Sequence, residues 1–132
     1  MIVKEISNLE LYNYIMDITE DLMTKTSGKI AYILSYNIRK IQEELTEYIK
    51  VRNELIHKYS TELPSGQYGI DINSPTYKTF LEEMKVYDEI KHTISLLQIC
   101  PMELYDTNLN ADEILRLSFM IEEYDPTKEN EK

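Results

Sequence analysis

Residues 34–59 read LSYNIRKIQEELTEYIKVRNELIHKY, and the spacing of their apolar side chains decides the fold class. Leu34, Ile38, Ile41, Leu45, Tyr48, Arg52, Leu55 and Tyr59 follow one another in alternating steps of four and three residues. Such steps hold side chains on one stripe of an α-helix, the a and d positions of a heptad. Arg52 interrupts the stripe with a charge, while Arg39, Lys40, Glu43, Glu44, Glu47 and Lys50 lie off it. Glu47–Lys50 and Glu54–Lys58 have the spacing of favourable helical ion pairs. Extended back to Lys29, behind Ser27 as a cap, the pattern predicts one helix over about 29–60, roughly 48 Å long. A helix with one apolar stripe does not hold its shape alone and needs a surface to cover it.

That surface is expected within the chain. Residues 60–75, STELPSGQYGIDINSP, carry the breakers Pro64, Gly66, Gly69 and Pro75 and read as a loop with a small extended or hairpin element near Tyr68. Ser74 and Pro75 open a further helix, in which Tyr77, Phe80, Met84, Tyr87, Lys91 and Ile94 repeat the heptad steps. Two matching stripes across a compact connection predict an antiparallel helical hairpin, an intramolecular coiled coil. The run HTISLLQIC (92–100) suits either a continued helix or a strand, and the strand reading pairs it with Met1–Ile6 at the base of the hairpin. Ser7 and Glu10 form a capping-box pattern ahead of a helix over about 8–23, and Thr24–Gly28 breaks it. Asn110–Glu113 opens a short helix with Ile114, Leu117 and Ile121 facing inward. The fold class is therefore mainly α, or α+β if the base strands form, with one domain over 1–124 and a polar tail over 125–132.

Composition sets further bounds. The chain has 132 residues, enough for one domain, and its three glycines and four prolines favour a few long elements. No apolar run reaches the length of a membrane span, and the N-terminus has no signal-peptide core. The single cysteine, Cys100, has no intrachain disulfide partner, which fits a reducing cytoplasm. Net charge is −10; residues 1–60 carry eight Lys/Arg against nine Asp/Glu, and residues 61–132 carry six against fifteen. Such a field repels nucleic-acid phosphates and favours a partner protein with a basic surface.

No constellation of residues selects a reaction. Ser27-Gly28-Lys29 lacks the first glycine of a phosphate loop and reads as a helix cap followed by an exposed lysine. His57, His92 and Cys100 have the right chemistry for a metal but not the spacing, and Cys100 before Pro101 reads as a buried, inert thiol. No cofactor and no metal are expected, and the chain is read as a non-enzyme. Tyr48, Tyr59, Tyr77 and Tyr87 fall on the stripes as packing residues. Tyr32, Tyr36 and Tyr68 are candidates for partner contact, because tyrosine buries area and keeps a polar handle. Arg52 and Lys91 interrupt their stripes and are candidates for an anion or acidic-residue pocket between the helices. Glu82 and Glu83 supply acidic contact positions. Self-association is expected, since a hairpin alone leaves Ile30, Ile33, Val51 and Ile56 to be covered.

Three runs carry a resemblance: SGKIAYILSYNIRKIQEELTEYIKVRNELIHKYS, GQYGIDINSPTYKTFLEEM and NADEILRLSFMIEE. Together they resemble small proteins encoded in phages and prophages of Gram-positive bacteria. Those share a long charged helix ending in a Leu-Ile-x-Lys-Tyr phrase, here Leu55-Ile56-His57-Lys58-Tyr59, then a glycine-containing turn, a second helix and an acidic C-terminus. The family has no assigned active site. The resemblance implies a phage product in the bacterial cytoplasm, and the expected function is a protein that binds and occludes a host protein, such as a component of antiviral defence. Two alternatives stand beside it: a chaperone or scaffold for tail or head assembly, and a sponge for a small anionic nucleotide signal.

Overall fold

The computed structural model describes residues 1–105 and 107–121, so the tail expected over 125–132 lies outside the described residues. The chain is helix-rich with a small antiparallel sheet, an α+β arrangement. Strand β1 (Ile2–Ser7) leads into helix α1 (Asn8–Asp17), with the Ser7 hydroxyl accepting from the Glu10 amide. Helix α2 (Glu20–Thr24) follows as a separate turn. The expected continuous helix over 8–23 is thus divided at Ile18 and Thr19. Ile18 leaves the helical region at φ −87°, ψ 89°, and Thr19 caps α2 by accepting from the Leu22 amide at 3.3 Å.

Helix α3 runs unbroken over Gly28–Tyr59, close to the span expected from its heptads. Ser27 sits at its N-cap without a side-chain capping bond. Gly28 enters at φ +58°, a left-handed conformation that glycine adopts without steric cost. A hairpin of β2 (Thr61–Glu62) and β3 (Tyr68–Gly69) then forms the expected small extended element. Its turn closes with the Gly66 amide donating to the Leu63 carbonyl at 2.8 Å, and Gly66 lies at φ +84°. Helix α4 spans Pro75–Asp88, and strand β4 spans Lys91–Leu96. The expected stripe from Tyr77 therefore stops at Tyr87; Lys91 and Ile94 belong to β4. The cause is a change of period: Ile94 and Leu96 point inward and Thr93 and Ser95 outward, a two-residue repeat. β1 satisfies the backbone of this strand in antiparallel register, with Ile2 opposite Leu96 and Ser7 opposite Lys91.

Leu11, Leu22, Leu34, Ile41, Leu45, Leu96, Ile99, Leu117 and Met120 form the fully enclosed centre. Ile30 and Ile33, expected to need a second copy of the chain, are buried by this chain itself, and Val51 and Ile56 are half-buried. The C-terminal part packs through helix α5 (Ala111–Arg116) and the tight turn Ser118–Met120, and Ile121 bridges in parallel to Ile99. Leu117 is buried as expected, while Ile114 and Ile121 are half-buried. No helix among the described residues is long and apolar enough to cross a membrane.

A capping box opens α5: the Glu113 amide donates to Asn110 Oδ1, and the Asn110 amide donates to Glu113 Oε1. The same carboxylate receives Lys25 Nζ at 2.9 Å, tying α5 to the turn before α3. The lysine contact first, and the Asn110 amide second, hold the Glu113 carboxyl below the usual carboxylate range. A lowered folded pKa gives stability that is complete above the ordinary value and fades as pH falls through the folded one. Thermal melts of the native chain and Glu113→Gln should therefore differ at neutral pH, with the native chain higher, and converge as pH falls through the lowered folded pKa of Glu113. Equal melts at neutral pH would show that the bridge contributes nothing.

Candidate partner-docking surface

Helix α3 buries one side and presents the other to solvent. On the solvent side Tyr32, Ser35, Tyr36 and Arg39 line a groove of about 300 Å³. Their spacing of three, one and three residues sets them along two turns of one helix face. Tyr32 is 67% exposed although it is a large aromatic residue. The Arg39 guanidinium lies 5.5 Å from the centre of the Tyr36 ring, and the Lys40 ammonium 5.7 Å from it. Both cations turn toward the ring instead of toward Glu43 or Glu44, one turn on; Glu44 engages His92 at 3.1 Å. Among the described residues, neither Arg39 nor Lys40 has a carboxylate partner.

Sequence reasoning selected Tyr32 and Tyr36 and passed over Ser35, Arg39 and Lys40. The missed signal is readable: residues 22–42 contain Lys25, Lys29, Arg39 and Lys40 and no Asp or Glu, in a chain of net charge −10. Lys25 and Lys29 are answered by Glu113 and Glu103 at 2.9 and 2.6 Å. Arg39, exposed, and Lys40, half-buried, are the pair left without a carboxylate partner among the described residues.

The remaining candidates are dispersed. The Arg52 guanidinium stacks 4.8 Å from the centre of the Tyr12 ring, closing α1 against α3. Lys91 is exposed on β4 and lines a groove of about 460 Å³ with Ser7, Leu9, Glu10, Lys85, Asp88 and Glu89. Arg52 is thus engaged at Tyr12 and Lys91 at the rim of this groove. Tyr68 is exposed on β3, and Glu82 is exposed on α4. Glu83 instead accepts from the Tyr59 hydroxyl at 2.6 Å and lies 3.5 Å from Lys58. That bond raises the Tyr59 phenol above its ordinary pKa. Tyr48 is buried and donates to Asp88, and burial first, then this bond, raises its phenol far above the ordinary range. Both tyrosines hold α3 to α4. Tyr77 is half-buried beside the core, whereas Tyr87, expected as a packing residue, is exposed.

Two buried asparagines escaped the sequence reading. Asn8 donates from Nδ2 to the Tyr87 carbonyl at 2.9 Å, and its Oδ1 lies 2.6 Å from His92 Nε2. Asn37 pairs with both backbone groups of one residue: it donates to the Leu97 carbonyl at 2.9 Å and accepts the Leu97 amide at 2.7 Å. His57 is exposed, and Cys100, expected to be buried, is exposed as well, because the chain turns outward at Pro101. Among the described residues, no three or more His, Cys, Asp or Glu side chains converge as metal ligands. No protein-family model matches the chain, and no curated protein or solved structure matches it.

Proposed function

We propose that the protein is a non-catalytic binding protein that docks a protein partner on the outer face of α3. The observation that carries this reading is the groove of Tyr32, Ser35, Tyr36 and Arg39. Tyrosine and arginine are the residue types enriched at the energetic centres of interfaces, and here they stand on a rigid element. α3 and α4 serve as the scaffold, read as an antiparallel hairpin: Tyr59 bonds Glu83 and Tyr48 bonds Asp88, so one helix rises as the other descends. The resemblance to phage-encoded proteins makes a bacterial host protein the partner, with occlusion of that protein as the biological effect.

Photo-cross-linking tests the reading. With p-benzoylphenylalanine in place of Tyr32, irradiation in a Gram-positive lysate should give a discrete adduct, and Tyr36→Ala in the same chain should remove it. The absence of any adduct, or adducts unchanged by Tyr36→Ala, would refute a docking role for this face.

A further inference from the structure

We infer that the α3 groove takes an acidic peptide segment carrying an apolar anchor. This rests on the docking role proposed above and names the chemistry of what docks. The partner was expected from net charge to be basic, but the groove itself has the opposite sign. Residues 22–42 hold no carboxylate, and two cations, Arg39 in the groove lining and the half-buried Lys40 beside it, lie against the Tyr36 ring without a carboxylate partner among the described residues. A cation–π contact at an exposed site is weak and leaves N–H donors of both cations available. An arriving carboxylate meets a guanidinium fork and an ammonium already held in place, so little side-chain freedom remains to be lost. Tyr32 and Tyr36 bring aromatic surface to the groove lining, and Ser35 adds a hydroxyl to it.

The net charge of −10 does not oppose this. At physiological ionic strength fields decay over about 8 Å, so a short segment feels the groove and not the far half of the chain. A nucleic acid is a different case. Its phosphates extend well past two helical turns and meet the acidic remainder of the surface, including Glu43 and Glu47 on the same helix. The local charge therefore selects a short acidic peptide over a polyanion.

Fluorescence anisotropy tests this with a pool of capped, labelled peptides about four residues long, short enough to stay on the groove, composed of Glu, Asp, Leu and Phe. A matched pool has Gln and Asn in place of the acids, and single-stranded oligonucleotides form a third arm. The acidic pool should bind, and raising salt from roughly 50 to 300 mM should weaken it several-fold. Arg39→Glu combined with Lys40→Glu should weaken it about tenfold or more, while Lys50→Glu, exposed farther along α3, should leave it within about twofold. Far-UV circular dichroism confirms that each variant keeps its helix. Equal binding of the Gln/Asn pool, binding indifferent to the Arg39 and Lys40 changes, preference for the oligonucleotides, or no binding of the acidic pool would each overturn the inference. The charge of the segment cross-linked at position 32 separates the two proposals: an adduct through a neutral or basic segment keeps the docking role and removes the acidic partner.

Discussion

Asn37→Leu is expected to cost about 3 kcal/mol of stability and to lower the melting temperature by roughly 10 °C. Asn37 is completely buried in the N-terminal third of α3, and its amide replaces a neighbouring strand for Leu97, satisfying both the N–H and the C=O of that residue. Leucine fills similar space but offers neither group. Two part-buried backbone groups then lose their partners, each at about 1–3 kcal/mol, and the added burial of leucine offsets only part of this. The exposed Asn53 lies on the same helix, and Asn53→Leu should change stability by less than about 0.5 kcal/mol. If thermal melts show the two variants equally stable, the Leu97 pairing has no energetic role.

Leu45→Ala is expected to cost about 3–4 kcal/mol, and Leu55→Ala about 1–2. The heptad treats these leucines alike, since both occupy the same stripe. In the fold Leu45 is fully enclosed, whereas Leu55 is half-buried at the edge of the core. Truncating an enclosed leucine removes its transfer energy and leaves a cavity, while neighbours and solvent refill a half-open site. Urea unfolding of both variants measures the difference directly. Equal costs would mean that the far end of α3 is as tightly packed as its middle.

The long helix was legible because one period sustained over residues 34–59 outweighs any local exception. The strand pair was legible only as one of two readings, because the run 92–100 is rich in Ile and Leu and Pro101 ends a helix or a strand alike. What escaped were exceptions to period. Asn37 takes the buried place that spacing gave to Ile38, because backbone hydrogen bonds to a residue 60 positions away decide its orientation. Spacing within one helix carries no trace of that partner. The second stripe ran past Asp88 because Lys91 and Ile94 happen to continue its steps, and only pairing with β1 overrides them. At the docking face the tyrosines stood out by type, but their cations needed a local count of charge, and the chain-wide total of −10 concealed it.

The pairing of β1 with β4 also sets an order of assembly. Ile2 meets Leu96 across more than ninety residues of chain, so on the ribosome β1 emerges first and has no strand to pair with until all of α3 and α4 have followed. α3 makes its hydrogen bonds within itself and has no such wait. Closing so long a loop is unfavourable until other contacts have drawn its ends together. β1 thus waits for its partner strand while the helices between them form. In the interval the apolar side chains Ile2, Val3 and Ile6 travel on an unpaired edge, with Lys4 and Glu5 between them as the charges that discourage a stray strand from joining.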